Sequence, residues 1–120
     1  MRNSSATHVF AIAILTVASI ALSARSAAAQ DAVAVKRGQA LFNAQKCSVC
    51  HSIAGKGAKA NPLDGVGAKL SAEDIRHWIV NPTEMTAKTK STKKPPMVAK
   101  YGKLPEADID ALVAYMQSLK

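Results

Sequence analysis

The stretch Cys47-Ser48-Val49-Cys50-His51 limits what this chain can be more than any other part of the sequence. Two thiols stand three positions apart and an imidazole follows directly, which is the C-x-x-C-H pattern of covalent haem attachment. One turn of irregular helix brings both sulfurs to the vinyl groups on one porphyrin edge, and the next side chain then reaches the iron. The motif therefore predicts one covalently attached haem c, held by Cys47 and Cys50, with His51 as an axial iron ligand.

Other uses of a C-x-x-C pair fit this chain less well. A structural zinc site needs about four ligands, whereas the chain has 2 cysteines and 3 histidines, of which His8 lies in a segment expected to be removed. A thioredoxin-like pair would lie among strands that alternate with helices, and the sequence shows almost no strand pattern. A simple disulfide is the remaining alternative, and the adjacent His51 favours haem over it.

The beginning of the chain has the pattern of an export signal. Arg2 precedes an apolar run over residues 9–22, and Ala27-Ala28-Ala29 fits the small-residue rule of signal peptidase. An uncleaved membrane anchor is the alternative, but a helix of this length rises only about 21 Å against a hydrocarbon core of about 30 Å. We therefore expect a cleaved signal peptide over residues 1–29, one domain over residues 30–120 and a periplasmic location.

The domain expected from residue 30 onward is small and basic. It keeps fourteen of the 16 Lys and Arg residues and all 8 acids, so its formal net charge is +6. Its aromatic residues are Phe42, Trp78, Tyr101 and Tyr115. Because a domain of this size buries only a limited core, we expect a large apolar cofactor to supply part of it.

Three segments carry the apolar periodicity of helices, which predicts an all-α fold with long loops. The first begins at Asp31, the second is capped by Ser71 and ends at Asn81-Pro82, and the third begins at Pro105. Their apolar stripes comprise Ala34, Gly38, Leu41 and Phe42, then Ile75, Trp78 and Ile79, and finally Ile109, Leu112, Val113, Met116 and Leu119.

The segments between these helices, residues 53–70 and 83–104, are predicted to be loops. The second contains two candidate sulfur ligands: Met97, which follows two stiffening prolines, and Met85. It also carries six lysines without an intervening acid: Lys88, Lys90, Lys93, Lys94, Lys100 and Lys103. Such a run either solvates a loop or steers an acidic partner. His77 lies off the apolar face of its helix and is expected to face solvent.

Taken together, these motifs resemble those of class I c-type cytochromes, the small soluble monohaem electron carriers of bacteria. The resemblance rests on Gly38-x-x-x-Phe42, Cys47-x-x-Cys50-His51, Leu63-Asp64-Gly65, Trp78-Ile79-Val80-Asn81-Pro82, Met97 and Leu112-Val113-Ala114-Tyr115. It implies three main helices and long loops around one covalent haem. It also implies that the glycine and aromatic residue of the first helix cross the last helix at Leu112 and Tyr115.

The resemblance further implies roles for single residues. Met97 becomes the second axial ligand of the iron, Trp78 lines the haem, and Met85 takes an apolar packing position. Where the family commonly has Pro-Asn-Leu-x-Gly, this chain has Asn61-Pro62-Leu63-Asp64-Gly65. The carbonyl group that orients the His51 ring is therefore left open.

These features lead us to expect a periplasmic electron-transfer protein and not an enzyme, since two axial side chains leave the iron without a site for substrate. Redox proteins with an acidic docking patch are the expected partners. Nucleic acid binding and membrane insertion after signal cleavage are not expected, and the chain should be a monomer or a loosely bound subunit. One alternative is an electron-acceptor subunit of a periplasmic dehydrogenase or sulfur-oxidising complex. Another is a ligand-binding or peroxidatic haem protein in which Met97 does not bind.

Overall fold

The structure is a computed structural model that describes residues 31–120. The predicted signal peptide over residues 1–29 lies outside the described residues. Helix α1 covers residues 31–44 of the described part. It is followed by α2 (Val66–Lys69), α3 (Ala72–Val80), α4 (Pro82–Thr89) and α5 (Glu106–Ser118). Among the described residues, no helix has the length and apolarity needed to cross a membrane.

The predicted all-α architecture and its three main helices are confirmed as α1, α3 and α5. Ser71 caps α3 by accepting a hydrogen bond from the amide of Asp74 at 3.0 Å, and the helix ends before Asn81 as predicted. Helix α5 begins at Glu106, one residue later than predicted, with Pro105 as its N-cap. A shift of one residue is within the variation that is usual at helix ends.

The two predicted loops contain more regular structure than the sequence indicated, which corrects that prediction. Residues 53–70 include α2 and part of a short antiparallel hairpin that pairs Ser52–Ile53 with Lys56–Gly57. Residues 83–104 include α4 and a 3-10 helix over Ala99–Lys103. Helix α4 begins directly after α3 because Asn81 ends one helix and caps the next, accepting from the amide of Glu84.

Helices α1 and α5 cross at Gly38 without an intervening side chain. A Cβ at Gly38 would overlap the carbonyl of Ala111 and lie 2.7 Å from the Cβ of Tyr115. One turn later, the Phe42 and Tyr115 rings meet edge to face, with centroids 5.9 Å apart. The expected contact with Tyr115 is therefore present, whereas the second close neighbour of Gly38 is the backbone of Ala111 and not Leu112.

We expect Gly38→Ala to destabilise the protein, although the same change in an exposed helix stabilises it by about 1 kcal/mol. The new methyl group would press on backbone atoms of α5 that cannot rotate away, so unfolding free energy should fall by about 1–3 kcal/mol. Denaturant unfolding measures this, with Gln39→Ala on the exposed side of α1 as the control. A Gly38→Ala protein as stable as the wild type would contradict the close crossing.

The core lies where α1, α3 and α5 meet. It is a cluster of eight buried side chains: Phe42, Ile75, Ile79, Ile109, Leu112, Val113, Tyr115 and Met116. Two arginines tie the surface of α5 to the other helices. Arg37 of α1 pairs with Asp108 at 2.5 Å, and Arg76 of α3 pairs with Glu106 and Asp110. Exposed ion pairs of this kind contribute little energy each, so apolar contact at the helix crossings holds the fold.

Candidate functional site

The Cys-x-x-Cys segment is a single tight turn at the end of α1. Lys46 adopts a left-handed conformation with φ of 56° and starts a 3-10 helix over Cys47–Val49. The amides of Cys50 and His51 both donate to the carbonyl of Cys47, at 3.1 and 3.0 Å. This winding presents the side chains of the motif on one compact turn, as the spacing predicted.

Both cysteines are free thiols in the structure, so the alternative of a disulfide between them is not realised. Cys47 is half-buried and packs against the core cluster, whereas Cys50 is exposed. Burial raises the pKa of the Cys47 thiol, while its own backbone hydrogen bond and the nearby Lys100 ammonium act in the opposite direction. No group of three His, Cys, Asp or Glu side chains within residues 31–120 is arranged to hold a metal ion.

The His51 ring is oriented by a backbone carbonyl. Its Nδ1 lies 3.1 Å from the carbonyl oxygen of Asn61, and because a carbonyl only accepts, Nδ1 carries the proton. Nε2 then holds the free lone pair, which is the arrangement of a metal-binding histidine fixed by a second hydrogen bond. The question left open by the Asn61-Pro62 order is answered: the oriented ring depends on the carbonyl of Asn61.

Backbone pairing places that carbonyl beside the ring. The amide of Leu63 donates to the carbonyl of Ser52 at 2.8 Å, which aligns the segment before Leu63 with the residues that follow His51. Ser52 is itself buried, with 3 % of its surface exposed. The carboxylate of Asp64 accepts from the amide of Ala54 at 2.8 Å and fixes the hairpin turn to the same segment.

Gly57 allows the hairpin to lie directly against the attachment turn. Its φ is 106°, and an added Cβ would overlap the carbonyl of His51 and stand 3.0 Å from that of Ser48. The next amide, that of Ala58, donates to the Ser48 carbonyl at 3.0 Å. The hairpin therefore packs against the attachment turn and supports it, where the sequence predicted only a loop.

The two methionines of the predicted second loop have different surroundings. Met85 is almost fully buried in α4, with 4 % of its surface exposed. Met97 is half-buried, lies outside regular structure and packs against the edge of the core cluster. The Met85 side chain is thus enclosed by protein atoms, whereas part of the Met97 side chain remains accessible.

Trp78 and His77 are neighbours on α3 with different exposure. Trp78 is half-buried and His77 is exposed. The interpretation of His77 as solvent-facing thus agrees with its position.

Sequence reasoning missed one contributor to this site, the 3-10 helix Ala99–Lys103. Burial raises the pKa of Tyr101, and the ring lies close enough to both cysteines for the charge of their thiolate forms to add to that effect. Lys100 lies close enough to Cys47 to affect the pKa of that thiol. No local pattern could have shown this proximity, because more than fifty positions separate the two segments.

A comparison with protein-family models matches residues 35–120 to cytochrome c. The chain belongs to the cytochrome c family. Neither the search of curated proteins nor that of solved structures gave a match. Membership means that this cytochrome c carries covalently bound haem c with its iron and has a role in haem-based electron transfer.

The residues of the attachment turn fit that cofactor. Two unpaired thiols stand at the required spacing, and the imidazole that follows them has its Nδ1 proton engaged and its Nε2 free. Thiols and a neutral imidazole are the groups that covalent attachment and axial ligation of haem c require. The attachment turn thus fits haem c in two respects: the two thiols and imidazole that it provides, and the orientation of the His51 ring.

Proposed function

We propose that this cytochrome c is an exported, periplasmic carrier of single electrons and not an enzyme. Cys47 and Cys50 would hold the haem, His51 and Met97 would fill its axial positions, and Trp78 would line it. The observation that best supports this proposal is the hydrogen bond from His51 Nδ1 to Asn61 at 3.1 Å. It leaves one imidazole nitrogen free beside two free thiols.

The bound haem c supplies a one-electron ferric–ferrous couple. The protein side chains would hold the haem, orient its histidine ligand and exclude other ligands from the iron. Cys47 and Cys50 fix the cofactor, and Asn61 prevents rotation of the His51 ring. Met97, as a neutral second ligand, would stabilise the reduced state and deny the iron an open position for substrate. Such a site exchanges electrons without binding a reactant.

A reduced-minus-oxidised absorption spectrum of a periplasmic extract tests this proposal directly. We expect the bands of a c-type haem that remains on the polypeptide after acid–acetone extraction. The ferric protein should also show the weak red-end band that is typical of methionine ligation. A haem that is extracted by acid–acetone would disprove covalent attachment, and a haem found only in the cytoplasm would disprove the location.

We further propose that the partners are redox proteins with an acidic patch, which dock on a lysine segment of this chain. The segment comprises Lys88, Lys90, Lys93, Lys94, Lys100 and Lys103, all of which are exposed. Within residues 31–120, the three ion pairs use only Arg37 and Arg76. The lysine segment therefore keeps its positive charge uncompensated. Its Lys100 ammonium lies 5.0 Å from the ring centre of Tyr101, whose hydroxyl donates to Gln45 just before the attachment turn.

Charge reversal in the lysine segment should slow electron transfer to an anionic oxidant. Lys93→Glu with Lys94→Glu replaces attraction by repulsion, so we expect a several-fold to about tenfold lower rate at low salt. The wild-type rate should itself fall as the Debye length shortens from about 30 Å at 0.01 M to about 8 Å at 0.15 M salt. Stopped-flow oxidation by hexacyanoferrate(III) measures both effects, and a cationic cobalt(III) complex should show the reverse trend.

The matched control changes the same charge elsewhere. Lys36→Glu with Lys59→Glu alters two exposed lysines outside the segment. Lys120 is less suitable because its ammonium group donates to the carbonyl of Gly67 at 2.7 Å. Equal rate losses from both pairs, or rates without salt dependence, would mean that the lysine segment only solvates the surface.

A further inference from the structure

The 3-10 helix Ala99–Lys103, called the strap below, joins two parts of the site that are distant in sequence. The hydroxyl of Tyr101 donates to the carbonyl of Gln45 at 3.4 Å, across 56 positions of the chain. Gln45 stands two residues before Cys47, at the entry to the attachment turn. One side chain of the strap is thus bonded to the backbone that leads into the Cys-x-x-Cys motif.

The other side of the strap rests on the end of α3. An added Cβ at Gly102 would lie 2.5 Å from the carbonyl oxygen of Val80, so the two backbones touch. The amide of Leu104 donates to the Tyr101 carbonyl at 3.1 Å and closes the strap. The strap thus contacts the turn after α1 on one side and the end of α3 on the other, and it begins two residues after Met97.

The surroundings of Tyr101 favour a hydroxyl that keeps its proton and its position. Burial raises the pKa of Tyr101 above its usual value. The Lys100 ammonium lies 5.0 Å from the centre of the ring, a distance at which a cation attracts the aromatic face. A half-buried tyrosine normally gives its hydroxyl a partner, and here that partner is the Gln45 carbonyl.

We infer that Tyr101 is a positioning residue, whose hydroxyl holds the strap on the attachment turn and so keeps the Met97 segment closed over the haem site. This role rests on the proposed axial ligation by Met97. Because only Val98 lies between Met97 and the strap, Met97 cannot move far from the site while Tyr101 remains bonded to Gln45. Detachment of the strap is then the motion that lets an external ligand replace the sulfur.

Tyr101→Phe tests the hydroxyl separately from the ring. The variant keeps the apolar contacts and the cation above the ring and loses only the hydrogen bond. A neutral hydrogen bond of normal length changes an equilibrium by about 2- to 12-fold. The bond from Tyr101 is 3.4 Å long, beyond the usual O–H···O range of about 2.5–3.0 Å, so strap opening should become about 2-fold more frequent. Two measurements on the haem-loaded protein report strap opening. One is hydrogen exchange of the Leu104 amide. The other is the rate at which added imidazole replaces the methionine sulfur on the ferric iron, followed by loss of the red-end band.

Tyr115→Phe is the matched control, since Tyr115 lies in the core against Phe42 and not on the strap. We expect faster exchange and faster imidazole binding in Tyr101→Phe alone. Unchanged exchange would overturn the hydrogen bond as the fastening of the strap. Faster exchange with unchanged imidazole binding would overturn its role toward Met97. A wild-type ferric protein without the red-end band would overturn Met97 ligation itself, while hydrogen exchange would still report whether Tyr101 fastens the strap.

Discussion

Replacing both Cys47 and Cys50 with serine is expected to leave this cytochrome c largely unfolded. The buried core cluster contains only eight side chains, and just two of them, Phe42 and Tyr115, are aromatic. Trp78 and Met97, the residues proposed to contact the haem, are only half-buried by the polypeptide. Domains of this size are stable by only about 5–10 kcal/mol, so loss of a covalently held apolar cofactor should remove most of that stability.

Far-UV circular dichroism with thermal melting measures this loss. The double variant should show weak helical signal and no cooperative transition, whereas the haem-loaded wild type should melt cooperatively. Ser48→Ala is a suitable control, because it changes an exposed side chain in the same turn and keeps both thiols. A double variant with full helical signal and a sharp melt would show that the polypeptide folds without its cofactor.

Helices α1, α3 and α5 could be predicted because their local sequence patterns agree with the way the helices pack in the folded protein. Apolar residues recur at helical spacing in each, and capping residues stand where the helices begin. Ser71 accepts from Asp74, as an N-cap should. The close crossing at Gly38 could also be anticipated, since a glycine within a helix is costly unless another backbone approaches it. That Ala111 would be the residue facing Gly38 could not be anticipated, because packing determines how α5 is rotated about its own axis.

Helix α4 was missed although its start signal is present in the sequence. Asn81-Pro82-Thr83-Glu84 ends α3, and it is also an N-cap, a proline at the first helical position and a capping glutamate. The Asn81 side chain makes both bonds of this cap: its Nδ2 donates to the Glu84 carboxylate at 2.6 Å, and its Oδ1 accepts a hydrogen bond from the Glu84 amide. The same residues thus stop one helix and start the next, and a single reading of the proline as a terminator hides the second role.

In the candidate site too, features set by consecutive residues could be predicted, and contacts between distant segments could not. The attachment turn follows from five consecutive residues, and the structure winds them as predicted. The orientation of His51 depends on a backbone carbonyl, which every residue possesses, so the exchange of Asn61 and Pro62 relative to the family pattern does not prevent it. Tyr101 could not be placed beside the cysteines from sequence, because that contact depends on how two distant segments pack.

Met97→Ala is expected to open the iron to external ligands while leaving the fold intact. Met97 is half-buried at the edge of the core, so its removal costs less packing than that of a fully buried methionine. Loss of a neutral sulfur ligand disfavours the reduced state. The potential should fall by on the order of 0.1 V or more, within the range of about 0.8 V that axial ligands span. Carbon monoxide should bind the ferrous form, and the red-end band of the ferric form should disappear.

Met97→Leu and Met85→Ala separate ligation from packing. Leucine nearly conserves the volume of methionine, so Met97→Leu should reproduce the open iron with little further loss of stability. Met85 is 4 % exposed, and its truncation should lower the unfolding free energy by about 2–5 kcal/mol while the red-end band persists. Carbon monoxide titration, redox potentiometry and denaturant unfolding of the three variants distinguish these outcomes. If Met85→Ala opened the iron and the Met97 variants did not, Met85 would be the ligand, because only loss of the bound sulfur frees the axial position.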